Sequence, residues 1–389
     1  MTSIGNTEDA GSLISVTVIG TGLIGTSIGL ALTEYGVRVH LQDVHAESVR
    51  IAEARGAGTA LAPERQTDLA VIAVPPQSVR TALADAQRRR IARHYTDVAS
   101  VKAALPAAGA DLGWDASRFI GGHPIAGREH PGPGAARSDM FRAKPWILTP
   151  SADTSQETIA TARRLIGLCG ADVVTMQPEA HDRAVAMTSH LPHLVSSLMA
   201  RLLRSYDHRA LELSGSGLRD FTRIAAGDPD LWTDILGSNA TAVLGALENL
   251  QHDLEMTRRI LHALAASPGA AEAAEAPAYR ELLRRLLEEG RAGQLLIPQK
   301  YGAAGRAYDK LQVLLTDREG ELARLLADVS ELNVNVEDLW IEDSADSPVG
   351  LAVLSVDAGM ASMLSDWLAE RGWPVLGESM SADPVAGRV

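Results

Sequence analysis

The sequence predicts an α/β fold with a doubly wound parallel sheet, followed by an all-α region and a small domain of βαββαβ order. Three observations support this prediction. Short β-branched runs alternate with helical segments up to about residue 176, β character then disappears for about a hundred residues, and a strand-like rhythm returns near residue 310. Strand–helix alternation is typical of a parallel sheet that is covered by helices on both faces.

The length of 389 residues is enough for two or three domains. We expect a disordered tail over residues 1–14, the α/β domain over 15–176, a helical domain over 177–300 and the small domain over 301–389. The tail has neither a basic region nor a long apolar core, so it does not have the pattern of a signal peptide.

Composition and charge narrow the class of protein. The formal net charge is −13, and the chain shows no basic face of the kind that nucleic-acid binding needs. The most apolar segment, residues 16–36, is interrupted by Gly, Thr and Ser, as a strand, turn and helix would be and a membrane span would not. The one cysteine, Cys169, excludes an internal disulfide framework and fits a reducing cytosol. We therefore expect a cytoplasmic protein that binds neither nucleic acid nor a membrane.

Seven β-branched runs in the first domain are predicted as strands. Several are apolar throughout instead of alternating, as strands buried on both faces of a parallel sheet are. The runs are SVTVIG, VRVHLQD, LAVIAVP, HYTDVAS, RFIGGHP, PWILTP and ADVVTM.

The last block has the pattern of a strand, a helix, two strands, a helix and a short strand. The segments are KLQVLLTD, EGELARLLADVSEL, NVEDLWIED, PVGLAVLSVD, GMASMLSDWLAERG and WPVLG. This order predicts a ferredoxin-like domain. The region before it is rich in Ala, Leu, Arg and Glu at helical spacing and predicts helices only.

A glycine motif indicates a dinucleotide site. Gly20, Gly22 and Gly25 form G-x-G-x-x-G directly after a strand and at the start of a helix. The glycines permit a tight turn, the approach of a pyrophosphate and close strand–helix packing, and the phosphates would lie at the helix N-terminus. Asp43, about twenty residues on, suits the ribose hydroxyls of NAD and would repel a 2′-phosphate. We therefore predict a Rossmann-type domain that binds NAD.

Other residues near this motif complete the predicted cofactor site. They flank the glycine turn or end the third strand run, and are Leu23, Ile24, Val74 and Pro75. His45 and Arg50 follow Asp43 closely, which leaves NADP as the less favoured cofactor.

A bound NAD implies a substrate hydroxyl whose proton passes to a base, and histidine titrates in the right range. The candidates are His123 in GGHP, and His190 and His193 in TSHLPH. The other histidines lie in polar or surface-like contexts, and we assign them no role.

His190 and His193 are spaced i and i+3, so a metal pair has to be considered. No carboxylate stands at zinc-site spacing and the chain has no cysteine cluster, so we expect no metal site. The residue types support a helix kinked at Pro192, with core histidines, about as well as they support substrate binding.

Four more polar residues are candidates for binding an anionic substrate. Arg223 could form two hydrogen bonds to a carboxylate, and Arg219 could add positive charge beside it. Alternatively, Arg223 could pair with Asp220 at a solvated helix start. Ser100 and Lys102 follow the carboxyl end of a strand, which is the usual ligand edge of such a sheet.

Five segments resemble prephenate dehydrogenases, the oxidoreductases of tyrosine biosynthesis that are related to arogenate dehydrogenases. They are VIGTGLIGTSIGLAL, DVASVK, GGHPIAGREHPGPGAA, AMTSHLPHLVSSLMA and GLRDFTRIAAGDPDLW, and the resemblance covers roughly residues 15–300. The segment TDREGELARLLADVSELNVNVEDLWI resembles an ACT domain, a small-molecule regulatory module.

The resemblance implies the NAD-dependent oxidative decarboxylation of prephenate to 4-hydroxyphenylpyruvate. It implies that His123 hydrogen-bonds the ring hydroxyl and takes its proton or stabilises the developing carbonyl, and that Ser100 orients hydroxyl and imidazole. Arg223 would clamp a substrate carboxylate, His193 with its neighbours would bind the other end, and Glu129 would gate the pocket or meet the substrate. The helical domains would interlock into a homodimer.

Two positions depart from the family patterns. Ala99 stands where the dehydrogenases commonly have glycine, and Glu319-Gly320 replaces the usual Pro-Gly of ACT domains. The resemblance implies tyrosine as an effector, with contacts at Gly320 and near Asn333 or Asn335.

Three other functions stay open on the sequence. Arogenate and 4-amino-4-deoxyprephenate dehydrogenases act on substrates that differ by a single amine. A 3-hydroxyacid dehydrogenase would also join a Rossmann domain to helices, although GGHPIAG has no place in it. A sensor that binds NAD and an amino acid without catalysis would not need His123, Ser100 and Arg223 together.

Overall fold

The computed structural model describes residues 13–103, 113–127, 132–266, 270–297, 308–342 and 349–376. The chain divides into two compact units, Met1–Gln294 and Leu295–Val389, and each is described by itself. None of the described helices is long and apolar enough to cross a membrane.

A seven-stranded sheet forms the centre of the first unit, with strand order β2-β1-β3-β4-β5-β6-β7. The strands are β1 (Ser15–Ile19), β2 (Arg38–Gln42), β3 (Thr67–Ile72), β4 (Ala92–Asp97), β5 (Phe119–Pro124), β6 (Pro145–Thr149) and β7 (Asp172–Thr175). Each predicted strand run overlaps one of them. The strands β1 to β5 pair in parallel, which confirms the Rossmann-type prediction for this part of the sheet.

The sixth strand differs from the prediction of a parallel sheet. β6 pairs antiparallel with β5, with His123 opposite Ile147, and β7 is parallel to β6. A parallel return needs a crossover, usually a helix, whereas the described part of the β5–β6 connection contains only a 3-10 turn at Pro133–Ala135. The chain therefore turns back directly beside β5.

In the described part of the chain, four helices cover the two faces of this sheet. They are α1 (Leu23–Thr33), α2 (Ala46–Ala54), α3 (Pro76–Arg88) and α4 (Gln156–Leu168). Ile28 of α1 and Leu165 of α4 pack with Leu148 on one face. Val79 of α3 packs with Tyr95 on the other face. Because both faces are covered, the central strands β1, β3 and β5 are largely buried.

The remainder of the first unit is helical. A π-helical turn at Ala186–His190 joins α5 (Pro178–Val185) to α6 (Leu191–Leu203), where the sequence predicts a helix kinked at Pro192. Pro192 has no N–H to donate to residue 188, so the regular hydrogen-bond ladder is interrupted at this turn. The helices that follow are α7 (His208–Leu211), α8 (Ser216–Arg223), α9 (Pro229–Ser238), α10 (Ala240–Ala265) and α11 (Ala270–Leu295).

The second unit is a four-stranded antiparallel sheet with two helices, and its strand order is β11-β8-β10-β9. Its elements are β8 (Tyr308–Thr316), α12 (Glu321–Glu331), β9 (Val336–Glu342), β10 (Val349–Asp357), α13 (Ala358–Glu370) and β11 (Val375–Leu376). The helices and the sheet share one apolar core, which includes Leu325 of α12, Leu354 of β10 and Leu364 of α13.

Candidate active site

Two neighbouring strands bring the main candidates to one edge of the sheet. β4 and β5 run parallel, so their carboxyl ends lie together. Asp97 is the last residue of β4, and the loop after it contains Ser100 and Lys102. His123 is the last residue but one of β5. The predicted reacting residues Ser100 and His123 therefore lie at the same edge, which is the ligand edge of such sheets.

His123 belongs to a chain of hydrogen bonds that the sequence analysis did not predict. Its Nδ1 lies 2.9 Å from Nε2 of His181, and Nδ1 of His181 lies 2.8 Å from Oδ1 of Asp182. His181 and Asp182 lie next to each other on α5 and are both buried. The expectation of a polar or surface-like context is therefore wrong for His181, which is completely buried.

The chain of hydrogen bonds decides which nitrogen of His123 carries the proton. Burial raises the pKa of Asp182, but hydrogen bonds from His181 and from the backbone amides of Ala103 and Lys102 outweigh it, so the net shift is downward. The ionised carboxylate only accepts, so His181 donates from Nδ1, and in the neutral tautomer its Nε2 is then the acceptor. His123 then donates from Nδ1, which leaves its Nε2 with a free lone pair.

The surroundings of His123 favour its neutral form. Burial lowers the pKa of His123 well below its ordinary value of 6.5, and the positive charge of Lys102 acts in the same direction. A neutral imidazole with a free Nε2 lone pair is the form that a general base or a hydrogen-bond acceptor requires at neutral pH.

Ser100 carries a hydroxyl without a protein partner. Its Oγ is buried and has no hydrogen-bond partner in the described part of the chain. Buried hydroxyls are nearly always paired, so an orphan of this kind at a ligand edge fits a bond to a bound molecule. That Ser100 orients a substrate hydroxyl stays a prediction, with which this unpaired hydroxyl is compatible.

The ammonium of Lys102 pairs with a carboxylate of the protein itself. Its side chain is 1% exposed and its ammonium pairs with Asp97, which is completely buried. The stem of Lys102 lies against β5, since a Cβ at Gly121 would lie 3.0 Å from its Cδ. The ammonium is thus engaged by Asp97, and binding of the substrate by Lys102 stays a prediction.

His190 and His193 point to different partners. Nδ1 of His190 accepts from the amide of Asn239 at 3.0 Å, and His190 is 1% exposed, which favours the core-histidine alternative, while substrate binding by His190 stays a prediction. Burial lowers the pKa of His190 to about 4. His193 stacks on Trp232 with ring centroids 3.5 Å apart.

Gly227 makes this stack possible, since a Cβ there would lie 2.5 Å from Nε1 of Trp232 and 2.9 Å from Cε1 of His193. Among the described residues, no group of three or more metal-ligating side chains is present.

The two candidate arginines lie on one short helix. Arg219 and Arg223 are on α8, and both side chains are exposed. Ser196 of α6 donates from its hydroxyl to the backbone oxygen of Phe221 at 2.8 Å, which fixes α8 against the helix that carries His193. Glu129, the predicted gate, lies outside the described residues.

The glycine motif has the geometry of a dinucleotide cradle. Gly20 has φ 101°, and a Cβ there would lie 2.2 Å from the backbone oxygen of Ala73. A Cβ at Gly25 would lie 1.9 Å from the oxygen of Gly20, whereas the position above Gly22 is open. α1 begins at Leu23 without a side-chain cap, so its first amides remain available to an anion.

Asp43 is held in place beside this turn. It accepts from the backbone N–H of Thr21 at 2.6 Å, from the Thr21 hydroxyl at 3.0 Å and from the N–H of His45 at 2.9 Å. Arg50 pairs with Glu47 on the surface of α2. The remaining predicted contacts lie around the turn: Leu23 and Ile24 in the first turn of α1, and Val74 and Pro75 just after β3. The residues present therefore fit a dinucleotide.

The proposed effector positions lie in the second unit. Gly320 has φ 83° and precedes α12, and Asn333 has φ 53° after it. Both are left-handed, a conformation that glycine and asparagine tolerate best. The amide of Asn335 donates to Glu337.

Comparison with known proteins identifies the family. The model of the nucleotide-binding domain of prephenate dehydrogenase matches residues 28–175, and the model of the dimerization domain of prephenate dehydrogenase matches residues 177–271. A probable prephenate dehydrogenase, NovF, of Streptomyces niveus is 38% identical over 92% of this chain and 98% of its own length. A cyclohexadienyl dehydrogenase of Zymomonas mobilis is 33% identical over 62% of this chain and 87% of its own length.

Solved structures give the same result. A prephenate dehydrogenase from Aquifex aeolicus, in complex with hydroxyphenyl propionate and NAD+, has a TM-score of 0.64 and 27% identity, and covers 75% of this chain and 100% of its own. The arogenate dehydrogenase of Synechocystis has a TM-score of 0.58 and 26% identity, and covers 73% of this chain and 100% of its own. The sequence motifs, the sheet-edge site and these matches agree, and the chain belongs to the prephenate dehydrogenase family.

Proposed function

We propose that the chain catalyses the NAD-dependent oxidative decarboxylation of prephenate to 4-hydroxyphenylpyruvate in tyrosine biosynthesis. The observation that carries this proposal is His123, which the His181–Asp182 chain holds as a neutral acceptor at the ligand edge of a dinucleotide-binding sheet. The names of the relatives support the substrate and the reaction.

NAD is the proposed cofactor, and its nicotinamide accepts the hydride. The turn of Gly20, Gly22 and Gly25 would receive the pyrophosphate, and Asp43 would accept from the ribose hydroxyls. The negative charge of Asp43 disfavours the 2′-phosphate of NADP. The pairing of Arg50 with Glu47 leaves that arginine less free to offset this charge.

His123 acts on the hydroxyl of the substrate ring. Its free Nε2 accepts the hydrogen bond of that hydroxyl while the hydride leaves the same carbon, so positive charge on the ring is partly relieved. The ring carboxylate leaves as CO2, its bonding electrons enter the ring, and the ring becomes aromatic. The hydroxyl oxygen stays on the product, so His123 returns any proton it has taken, and the protein mainly has to supply position and one acceptor.

The other residues bind and orient the substrate. The unpaired hydroxyl of Ser100 bonds the same substrate hydroxyl and fixes its direction towards His123. Arg223 clamps a carboxylate and Arg219 adds positive charge on the same helix. His193, stacked on Trp232, contacts the far end of the substrate, and Glu129 gates the pocket.

The helices after β7 supply the proposed dimer surface, and the second unit supplies the proposed effector site. The helices α6, α8 and α10 expose large apolar side chains that a homodimer would cover: Leu198, Leu202, Phe221, Leu244 and Leu254.

The second unit is an ACT-type ferredoxin-like domain that binds tyrosine near Gly320 and Asn333. Tyrosine should therefore inhibit the full chain, and a chain truncated after residue 300 should lose that inhibition. The single, buried Cys169 fits a cytoplasmic enzyme.

A second substrate has specific support. One structural neighbour is named an arogenate dehydrogenase, and one relative is named for cyclohexadienyl substrates in general. Arogenate has an amine where prephenate has the keto group of its side chain. In 4-amino-4-deoxyprephenate an amine replaces the ring hydroxyl. A sensor without catalysis is disfavoured, because it has no use for a base with a fixed tautomer.

A substrate panel tests the proposal. Prephenate, arogenate and 4-amino-4-deoxyprephenate are each offered with NAD and with NADP, and the absorbance of the reduced cofactor is followed. We expect the highest kcat/KM with prephenate and NAD. A faster reaction with arogenate would transfer the proposal to that substrate, and no reduced cofactor in any of the six mixtures would overturn it.

A further inference from the structure

A buried ion pair lies directly beneath the catalytic edge and has no part in the mechanism above. The ammonium of Lys102 contacts Oδ2 of Asp97, and the two side chains are 1% and 0% exposed. Burying two charges costs stability even when they pair, and an apolar pair of similar size is often as stable or more so. The pair is therefore a poor choice for packing alone.

Asp97 connects the two strands that carry the reacting residues. Its Oδ1 accepts from the backbone N–H of Gly122 at 3.0 Å, and Gly122 directly precedes His123. Its Oδ2 accepts from the N–H of Ala99 at 3.1 Å, and Ala99 directly precedes Ser100. One carboxylate thus sets the backbone immediately before both His123 and Ser100.

Lys102 connects the same loop to the helix that orients His123. Its backbone N–H donates to Oδ1 of Asp182 at 2.8 Å, and the N–H of Ala103 donates to Oδ2 at 2.8 Å. The loop from Ala99 to Ala103 is therefore fixed by Asp97 at its start and by Asp182 at its end. Ser100 lies between these two carboxylates.

The two glycines of GGHP make room for this ion pair. A Cβ at Gly121 would lie 3.0 Å from Cδ of Lys102 and 2.3 Å from Oγ1 of Thr149. A Cβ at Gly122 would lie 2.6 Å from the backbone oxygen of Asp97. Neither glycine has a positive φ, so space, and not backbone conformation, requires them.

We propose that Asp97 and Lys102 are positioning residues that hold His123 and Ser100 in register for the transfer of the hydride. This inference rests on the proposed function, because it assigns these residues to the same reaction. Lys102 keeps the carboxylate of Asp97 directed at the two backbone amides, and its positive charge also helps to keep His123 neutral. The charged and titratable groups packed around His123 are Lys102 and Asp97 from β4 and its loop, His181 and Asp182 from α5, and His190 from the π turn.

The test compares Lys102→Met, Lys102→Arg and Asp97→Asn with the wild type in the full chain. We expect Lys102→Met to lower kcat by at least about tenfold, counted per NAD-binding site, with KM for NAD within about threefold of the wild type. Removing the positive charge of Lys102 should raise the pKa of His123. The pH below which kcat/KM falls, the acid limb of the pH profile, should therefore rise by about one unit. Lys102→Arg keeps the positive charge, so its activity should fall at the same acidic pH as that of the wild type. A cavity of about 60 Å³ beside Lys102 and Gly121 offers room for the larger guanidinium group.

Two further measurements separate positioning from folding and from the proposed function. Lys310→Met removes a lysine from the second unit and should leave kcat and the acid limb unchanged. The ring of His123 is titrated by NMR in the wild type and in Lys102→Met, with His123→Asn for assignment. A raised pKa supports the inference whichever substrate the wild type accepts, whereas an inactive wild type would overturn only the proposed function.

Thermal unfolding of each variant shows whether the loss is structural. Should Lys102→Met fail to fold, Asp97→Asn and Lys102→Arg carry the test, since they keep side-chain size or charge, and Asp97→Asn should lower kcat at nearly unchanged KM. A folded Lys102→Met enzyme with wild-type kcat and a wild-type acid limb would overturn the inference. So would variants that lose only melting temperature while their folded fraction keeps full activity.

Discussion

The Nδ1 atom of His123 lies 2.9 Å from the Nε2 atom of His181, although 58 residues separate them along the chain. The bond continues from His181 to the carboxylate of Asp182. An acceptor-only group at one end of such a chain determines the proton positions along its whole length. The protein thereby fixes a histidine tautomer by using a second histidine and an aspartate from the helical part of the chain.

Replacing Asp182 by Asn should disturb this chain with little change in shape. The Oδ1 atom accepts from His181 and from the N–H of Lys102, and Oδ2 accepts from the N–H of Ala103. Either orientation of an amide places an NH2 group against a backbone N–H, and the orientation with NH2 at the Oδ1 position also forces His181 to reverse its tautomer. His123 would then present an N–H to the substrate, and kcat should fall at least about tenfold.

A second variant, His181→Gln, interrupts the same chain of hydrogen bonds. Its kcat is compared by steady-state kinetics with that of His94→Gln, the matched control. His94 of β4 is also buried, and its Nδ1 bonds the hydroxyl of Thr158 on α4 at 2.8 Å. His181→Gln should lose activity, whereas His94→Gln should lose stability only. Equal kcat values for His181→Gln and His94→Gln would contradict the role of the hydrogen-bond chain.

The pH dependence of kcat/KM should show a late acid limb. Because burial lowers the pKa of His123 well below 6.5, the imidazole stays neutral as the pH falls through 6.5. Activity should therefore persist below pH 6.5 and fall only at lower pH. A limb at or above pH 6.5 would show that the base is not held in its neutral form.

Stability has to be followed in the same pH range. The pKa of His190 is lowered from 6.5 to about 4, so its contribution to folding is complete above pH 6.5 and is lost as the pH falls towards 4. Denaturant unfolding at each pH separates this loss of folded enzyme from protonation of His123. The acid limb should appear in the activity of the folded fraction.

The sequence predicts most of the frame of the site. The glycine turn, Asp43 and the seven strand runs depend on local rules of spacing and conformation, so they can be read along the chain. His123 could be placed at the ligand edge because it follows a buried strand. The antiparallel return of β6 depends instead on the connection after β5, for which the sequence has no comparable signal.

His181 and Asp182 could not be identified from local context, because their partners come from distant segments. One signal was nevertheless present. Pro178, His181, Asp182 and Val185 have the i, i+3, i+4, i+7 spacing of a buried helix face, and all four are buried. A histidine and an aspartate on such a face need partners inside the protein.

Lys102 shows what local context leaves open. Its position after a strand correctly places its backbone at the ligand edge, but a four-carbon side chain reaches in several directions. The direction it takes depends on the space above Gly121 and on the charge of Asp97, which only the packed structure shows. Gly121 and Gly122 lie within β5, as they do in the predicted strand run RFIGGHP.

Replacing Asp43 by Asn should weaken the preference for NAD. The carboxylate lies against the amides of Thr21 and His45, so its place is set before the cofactor binds. Removing its charge should lower kcat/KM for NAD about tenfold and raise the NADP-to-NAD ratio. Asp68→Asn is the matched control, because Asp68 bonds the amides of Ile14 and Ser15 at the start of β1, at the other end of that strand. An unchanged ratio would remove Asp43 from the cofactor site.

Replacing Arg223 by Ala should mainly raise the KM for prephenate. A two-point clamp acts on the carboxylate in the ground state as well as the transition state, so KM should rise about tenfold with a smaller change in kcat. Arg223→Lys should recover little, because an ammonium cannot form the same fork. Arg209→Ala on α7 serves as the surface control. A KM equal to that of the wild type would exclude Arg223 from the clamp.

The most direct test of the account is the kcat of His123→Asn with prephenate and NAD, measured by NADH absorbance on enzyme whose NAD binding has been confirmed by fluorescence. Asn preserves polarity but offers no titrating acceptor. The account predicts a fall of at least about two orders of magnitude in kcat, with KM within about threefold of the wild type. A kcat close to that of the wild type, with or without a raised KM, would contradict the claim that His123 is the acceptor of the ring hydroxyl.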